Sequence, residues 1–131
     1  MPVYTSAEQL YRVLQELFRR LPEKDPAAVR SVAASRLVLR MRTSSPVVEI
    51  CINGRHNPLQ IIYGAATLRP DIELELPADL LHAILLSEIS LRKAHASGKI
   101  RLRGPIWRAL SFEPVFAAGQ LIYPQILAET K

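Results

Sequence analysis

Residues 72–116 constrain the fold more than any other part of the sequence, because strand and helix patterns follow one another there without a long loop. Residues 72–76 and 99–103 alternate apolar and charged side chains, which is the period of a strand with one buried face. The sequence therefore predicts two strands, one at the start of this segment and one in its second half.

Between and after these two strands, the sequence carries signals for three helices. Pro77 and Asp79 suit the first turn of a helix, where the backbone N–H groups have no partner within the helix. Proline has no N–H to leave unpaired, and a short acidic side chain can accept a hydrogen bond from such a group. Ser90 can cap a second, shorter helix, and Gly98 can end it in the left-handed conformation that glycine adopts at little cost. After a Gly-Pro break, residues 106–110 begin an apolar helix.

The N-terminal part of the chain predicts two more helices. A capping pattern at residues 5–9 precedes a stripe of apolar residues that recur at helical spacing. The stripe consists of Leu10, Val13, Leu14, Leu17, Phe18 and Leu21. We expect Pro22 to end this helix, and a short helix to cover residues 27–34 after the start signal at Asp25 and Pro26.

Three further strands are predicted in the middle of the chain, over residues 35–42, 47–52 and 59–63. Short connections join them, so they must be antiparallel neighbours. Together with residues 72–76 and 99–103 they make five strands. We therefore predict an α/β (α+β) fold with a five-stranded, mostly antiparallel sheet covered on one face by helices.

The C-terminal part predicts a last helix over residues 115–127, with several apolar residues. Gly119 and Pro124 interrupt the helical pattern. Because proline lacks an N–H and glycine weakens a helix, we expect this helix to be kinked or split.

Length and composition set the class of protein. The chain of 131 residues has the size of one domain, so residues 1–131 are expected to form a single domain. Hydrophobic residues make up 49% and aromatic residues only 6%, which predicts a mainly aliphatic core. The single cysteine suits a reducing compartment, and the sequence shows neither a signal-peptide pattern nor an apolar run long enough to span a bilayer. We therefore expect a cytoplasmic protein.

The polar residues give little support for catalysis. Cys51 lies inside a predicted strand and is expected to be buried rather than reactive. Asp79 and His82 are three residues apart on one predicted helix and can hydrogen-bond, but no nucleophile accompanies them. The histidines lack metal-site spacing and the glycines form no nucleotide-binding loop. We expect no enzymatic activity, no cofactor and no metal site.

Basic residues form a second polar pattern, and the formal net charge is +5. Two predicted strands would place five arginines on one sheet face if they were neighbours: Arg36, Arg40, Arg42, Arg101 and Arg103. RNA-binding sheets combine such charge with exposed aromatic side chains, and neither strand carries one. We therefore expect a solvated outer face and no nucleic-acid partner, while transient contact with an anionic membrane surface is compatible with this charge.

The order of elements and several motifs resemble the sterol-binding domain of the sterol carrier protein 2 family, from about residue 71 to residue 110. The matching motifs are Asp71-Ile72-Glu73-Leu74, Pro77-Ala78-Asp79-Leu80-Leu81, Lys93-Ala94 and Ser97-Gly98-Lys99-Ile100-Arg101-Leu102-Arg103-Gly104. The resemblance implies a carrier of sterols, fatty acids, acyl-CoA or other lipids, in which helices over the sheet line the ligand cavity.

Apolar residues of the C-terminal half are the candidate ligand-binding residues. They exceed what one small sheet face needs, and lipid pockets are lined by such side chains. The resemblance implies a lining role for residues 80–86 and 106–110, and the apolar pattern after Phe112 extends this set. The candidates are Leu81, Ile84, Leu85, Ile106, Trp107, Leu110, Phe112, Val115, Phe116, Leu121 and Ile122.

Two functions of different kinds follow from these observations. The first is non-enzymatic binding, and intracellular transfer, of a hydrophobic ligand in an apolar cavity between helices and sheet. The alternative is an accessory or dimerisation module that supports a lipid-handling enzyme without carrying a ligand itself. A bound lipid favours the first function, whereas a ligand-free homodimer with a filled cavity favours the second.

Overall fold

The computed structural model describes residues 2–129. The helices are α1 (Ala7–Lys24), α2 (Pro26–Ser35), α3 (Ala78–Leu85), α4 (Leu91–Ala96), α5 (Ile106–Ala109) and α6 (Glu113–Glu129), with a 3-10 turn at Leu110–Phe112. The strands are β1 (Val38–Ser44), β2 (Glu49–Asn53), β3 (Gln60–Tyr63), β4 (Ile72–Pro77) and β5 (Arg101–Arg103). The five predicted strands and the order of elements are confirmed.

The strands form one sheet in the order β3-β2-β1-β4-β5. The pairs β1–β2, β2–β3 and β4–β5 are antiparallel, whereas β1 and β4 are parallel. The predicted five-stranded, mostly antiparallel sheet is therefore correct. The parallel pair places β4 between the N-terminal strands and β5, so the two halves of the chain share one sheet.

One face of the sheet packs under the helices and forms the core. Alternate residues of β1, β2 and β4 point into it, as the period of a strand requires. These residues are Leu39, Met41, Ile50, Ile52, Ile72, Leu74 and Leu76. Helix α1 adds Leu10, Leu14, Leu17 and Leu21, all at most 3% exposed. The predicted apolar stripe of the first helix is therefore confirmed as its buried face.

Acidic residues interrupt the arginines on the other face of the sheet. Because β4 lies between β1 and β5, Glu73 stands between Arg40 and Arg103 in the strand register. Glu73 pairs with Arg40, and its second oxygen lies 3.8 Å from a guanidinium nitrogen of Arg103. Arg101 lies 3.9 Å from Glu75 in the next row. The face is solvated as expected, and because β1 and β5 are not neighbours, the condition for five adjacent guanidinium groups is not met.

Two helix ends differ from the prediction. Pro22 lies inside α1, which continues to Lys24, because Leu21 is buried and holds the last turn against the core. The loss of one backbone hydrogen bond at the proline is tolerated so close to the end of the helix. Arg36 adopts the left-handed conformation, with φ of 56°, and ends α2. The strand that follows consequently begins at Val38 and does not include Arg36.

The capping signals around α3 and α4 are confirmed in two cases out of three. The Ser90 side chain accepts the N–H of Lys93 at 3.0 Å, and Gly98 has φ of 78° after α4. Asp79 does not cap α3, because its carboxylate instead accepts the backbone N–H of Val3 at 3.0 Å. This contact fixes the N-terminal segment against the start of α3.

The last helix, α6, is one uninterrupted helix, so of the kink or split that the sequence predicts at Gly119 and Pro124, the split is wrong. A Cβ atom at Gly119 would lie 3.1 Å from a methyl carbon of Leu85 on α3 and 3.7 Å from one of Leu17 on α1. Glycine thus fits the close packing of three helices and does not mark a break. This packing offsets the weak intrinsic helix propensity of glycine and proline.

Candidate ligand-binding cavity

An apolar cavity of about 220 Å³ lies between the sheet and the helices of the C-terminal half. Most of its walls are aliphatic or aromatic side chains. These are Leu39, Leu74, Ile84, Leu91, Ile100, Leu102, Ile106, Ala109, Leu110, Phe112, Phe116 and Ala117. The polar residues that reach it are Ser90, Arg92, His95, Glu113 and Gln120.

The floor of the apolar cavity is made by the inward residues of three strands. Leu39 of β1, Leu74 of β4 and Leu102 of β5 all line it. Leu74 and Leu102 are direct partners in the β4–β5 register, so their side chains lie on the same face of the sheet. The charged residues that alternate with them point away, which keeps this floor apolar.

The cavity walls come from helices α3 to α6. Ile84 projects from α3 and is fully buried, whereas Phe116 of α6 is only partly buried. The Gln120 amide nitrogen donates a hydrogen bond of 3.0 Å to the carbonyl oxygen of Ile84, which joins α6 to α3 beside the cavity. The Gln120 amide, although it lines the cavity, therefore has a backbone hydrogen-bond partner.

The two ionised side chains of the lining stand at its solvent-exposed rim. Arg92 on α4 and Glu113 at the start of α6 are exposed and form an ion pair of 3.6 Å. His95 follows Arg92 by three residues on α4, so both side chains lie on one face of that helix. Exposed ion pairs of this kind contribute little stability, so the rim is held mainly by the packing around it.

The structure distributes the eleven sequence-predicted ligand residues over three environments. Five line the apolar cavity: Ile84, Ile106, Leu110, Phe112 and Phe116. Four others lie in the core and are at most 5% exposed: Leu81, Leu85, Val115 and Ile122. The remaining two point into solvent, Trp107 with 65% and Leu121 with 60% of its surface exposed.

Sequence reasoning missed the part of the lining that comes from the sheet and from α4. Leu39, Leu74 and Leu102 were recognised as the apolar side of alternating strands but not as cavity residues. The signal that could have found them is their position on the face that the helices cover. Ile100 belongs to the same alternating stretch as Leu102, whereas Leu91, the first residue of α4, carries no comparable pattern.

A separate polar cluster joins three elements away from the cavity lining. The Tyr123 hydroxyl on α6 lies 2.5 Å from the hydroxyl of Tyr4 and 2.5 Å from Nδ1 of His82 on α3. Tyr4 and Tyr123 are 6% and 1% exposed. Burial removes water from the phenolate form and raises the pKa of both hydroxyls, and the hydrogen bond with Tyr4 raises that of Tyr123 further. The two hydroxyls therefore stay protonated at neutral pH, and the cluster is a structural network.

The other residues considered for catalysis are engaged separately. The hydrogen bond that we considered between Asp79 and His82 is not formed, because Asp79 binds Val3 and His82 binds Tyr123. Cys51 is buried on β2, as expected, and burial raises the pKa of its thiol. Among residues 2–129, no group of histidine, cysteine and acidic side chains is arranged to hold a metal ion. Nor does any helix in this range have the length and apolar character of a membrane-spanning segment.

Comparison with known proteins rests on structure alone. No protein-family model and no curated protein matches the sequence. The sterol carrier protein domain 2 of Helicoverpa armigera is 14% identical and superposes with a TM-score of 0.67, over 85% of this chain and 87% of that one. Palmitated sterol carrier protein 2-like 2 from Aedes aegypti is 23% identical, with a TM-score of 0.58 over 79% and 90% of the two chains.

A third solved structure is described as UbiJ-SCP2, a ubiquinone synthesis protein. It is 17% identical, with a TM-score of 0.60 over 92% of this chain and 94% of that one. Similarity at these identities establishes the fold, and it confirms the resemblance predicted from residues 71–110. The chain therefore has the fold of sterol carrier protein 2 domains.

Proposed function

We propose that the protein binds a hydrophobic small molecule in the apolar cavity and carries it without changing it chemically. The observation that carries this proposal is the lining: aliphatic and aromatic side chains surround about 220 Å³, and the two ionised side chains stand at the rim. Burial of each methylene group in such a site contributes about 0.8 kcal/mol to binding. The palmitated relative from Aedes aegypti, which has the same fold, supports this class of ligand.

The volume of the apolar cavity favours an acyl chain of modest length over a whole sterol. Cavities of about 150 Å³ take up benzene, whereas pockets for drug-sized ligands span roughly 300–1,000 Å³. The cavity of about 220 Å³ lies between these sizes. We therefore expect fatty acids of short or medium length to bind more tightly than sterols, which require the helices to move apart.

The rim suits an anionic head group such as a carboxylate. Arg92 and Glu113 are 3.6 Å apart, which is too far for a close charge-assisted hydrogen bond. A ligand carboxylate can therefore replace Glu113 as the partner of the guanidinium. His95, on the same face of α4, offers a second hydrogen-bonding group to the same head.

The absence of catalysis is part of the proposal. His82 and Asp79 bind different partners, Cys51 is buried on β2, and the Tyr4–Tyr123–His82 cluster does not belong to the cavity lining. The single cysteine favours a cytoplasmic location, because a reducing compartment needs no disulfide. The ion-paired outer sheet face offers no aromatic stacking surface for nucleic acid.

The alternative is an accessory module that supports a lipid-handling enzyme, alone or as a homodimer. The observation that favours it is the fold shared with a ubiquinone synthesis protein over nearly the whole of both chains. Under this alternative the apolar cavity carries no ligand, and an exposed apolar residue such as Leu121 contributes to an interface. Ligand binding by the isolated protein separates the two functions.

Displacement of a fluorescent fatty acid tests the proposal. Ala109 lines the cavity, so Ala109→Phe should fill it and abolish binding while the protein stays folded. Ala128 is an exposed alanine on α6 outside the lining, so Ala128→Phe is the matched control and should bind as the wild type does. Saturable binding that Ala109→Phe leaves unchanged would contradict this site, and wild-type protein that binds no fatty acid or sterol would favour the alternative.

A further inference from the structure

One polar side chain, Gln120, lies in the wall of the apolar cavity away from the ion-paired rim. Helix α6 lines the cavity with Glu113, Phe116, Ala117 and Gln120, which recur at the spacing of one helix face. Glu113 stands at the rim, and Gln120 follows it two helical turns later, at about 10 Å along the helix axis. The cavity wall therefore contains a polar group at a distance from the rim.

The orientation of the Gln120 amide follows from its hydrogen bond to α3. The amide nitrogen lies 3.0 Å from the carbonyl oxygen of Ile84, and a carbonyl oxygen can only accept. The nitrogen, and not the oxygen, must therefore face α3. Ile84 is fully buried, so this bond is shielded from water and holds the side chain in one orientation.

The amide oxygen of Gln120, Oε1, is left as an unused acceptor. It makes no hydrogen bond to any of residues 2–129. In this range, every enclosed side-chain oxygen or nitrogen of a partly buried residue has a hydrogen-bond partner, so Oε1 of the half-buried Gln120 must reach open space. On this face of α6 the open space is the apolar cavity. An acceptor with two lone pairs is thus available to a ligand.

A purely hydrocarbon ligand would leave this acceptor unpaired. Solvent can bond to Oε1 as long as no ligand fills the cavity, whereas a chain of methylene groups excludes solvent and offers no donor. A polar group that loses its partner in this way weakens binding. Sites that bond a hydroxyl of their ligand discriminate against the analogue that lacks it for this reason. A hydroxyl on the ligand chain would supply the missing donor.

We propose that Gln120 selects ligands with a hydroxyl group on the hydrocarbon chain, at the end far from the acidic head group. The hydroxyl donates a hydrogen bond to Oε1 of Gln120, while the head group stays at the rim beside Arg92. This inference rests on the proposed function, because it names the class of ligand that the same cavity prefers. Hydroxylated acyl chains should bind more tightly than unsubstituted chains of equal length.

Three acids of equal chain length test this selection: decanoic acid, ω-hydroxydecanoic acid and α-hydroxydecanoic acid. Displacement of a fluorescent fatty acid measures their dissociation constants. Wild-type protein should bind the ω-hydroxy acid about fivefold more tightly than decanoic acid, the ratio expected for one net hydrogen bond. The α-hydroxy acid carries its hydroxyl beside the carboxylate at the rim, so it should bind as decanoic acid does.

Gln120→Met is the matched variant, because methionine is a flexible, unbranched side chain without the amide acceptor. It should reverse the preference and bind decanoic acid more tightly, since the hydroxyl would then enter an apolar site without a partner. Loss of the bond to Ile84 affects both acids alike, so the ratio of their dissociation constants separates ligand selection from a structural role. Gln125→Met, at an exposed position of α6 outside the lining, is the control and should keep the wild-type ratio. Circular dichroism checks that both variants are folded.

Two results would overturn the selection by Gln120 and leave the carrier function intact. One is equal binding of decanoic acid and ω-hydroxydecanoic acid by the wild type, and the other is a wild-type ratio in Gln120→Met. Preference of the wild type for the α-hydroxy acid would also overturn it and would assign the selection to the rim. Failure of all three acids to bind would contradict the carrier function, and this inference with it.

Discussion

The hydroxyl of Tyr123 lies 2.5 Å from Nδ1 of His82, so a buried residue of the last helix is hydrogen-bonded to the helix that follows β4. The same hydroxyl lies 2.5 Å from that of Tyr4, which brings the N-terminal segment into the network. These bonds join three parts of the chain that are distant in sequence. The network therefore fixes α6, whose other end forms a wall of the apolar cavity.

Tyr123→Phe should lower the free energy of unfolding by about 1–3 kcal/mol, because it leaves buried partners on Tyr4 and His82 without their hydrogen bond. Denaturant unfolding followed by circular dichroism measures this loss. Tyr63→Phe is the matched control, since Tyr63 is partly buried on β3 and makes no hydrogen bond through its hydroxyl within residues 2–129. Equal stability of the wild type and Tyr123→Phe would show that the network adds nothing.

Gly119→Val should destabilise the protein by about 1–3 kcal/mol, the usual cost of overpacking a core. The added side chain would meet Leu85, whose methyl carbon is already 3.1 Å from the position of a Cβ atom. Thermal and denaturant unfolding measure the change. Ala128→Val, on the exposed end of the same helix, controls for the lower helix propensity of valine. A stable Gly119→Val protein would contradict the close packing of α6 against α3.

Acid should weaken the ion pairs on α1 and the ion pair that joins α1 to α6. Hydrogen bonds from Arg19 and then Arg20 lower the pKa of Glu16 from 4.5 to about 2, and Arg20 also lowers the pKa of Glu129 on α6. Because the folded-state pKa is the lower one, this stabilisation is present above pH 4.5 and is lost as the pH falls towards 2.

Glu16→Gln should therefore reduce the dependence of unfolding free energy on pH between 4.5 and 2. Arg20→Gln should have a similar effect, because it removes the shared partner of both carboxylates. Glu129 is exposed and Glu16 and Arg20 are only partly buried, so the effect should be small and should weaken at high salt. An unchanged pH dependence in both variants would show that these ion pairs do not contribute.

Cys51 should react with thiol reagents only after local or global unfolding. Its side chain is 2% exposed, and burial raises the pKa of the thiol, so little thiolate is available. Native protein should resist a maleimide reagent at neutral pH, whereas protein in denaturant should be labelled at once. Mass spectrometry measures the extent of labelling. Rapid and complete labelling of the native protein would contradict the buried position of Cys51 on β2.

The sequence predicted the local elements well because their signals are local. Alternation of apolar and charged residues located β4 and β5, and Ser90 and Gly98 marked the two ends of α4. The interruption of the arginines by Glu73 was not predicted. It depends on the parallel pairing of β1 with β4, between residues 33 apart in the chain, which no local pattern encodes.

The same distinction applies to the cavity. Ile84, Ile106 and Phe116 could be identified as candidates from apolar content and family resemblance, and they do line it. Whether an apolar residue faces the cavity, the core or solvent depends on how α3, α5 and α6 pack together. Leu81 and Trp107 therefore have the same sequence signal and opposite environments, at 2% and 65% exposure.

Native mass spectrometry of gently purified protein, with organic extraction of the bound material, tests the central claim most directly. The proposed function predicts a monomer that carries one hydrophobic molecule, recovered chemically unchanged and small enough for the apolar cavity, such as a fatty acid. Ala109→Phe, purified in parallel, should carry none. A ligand-free dimer that also fails to take up added fatty acids would contradict the carrier function and would support the accessory module.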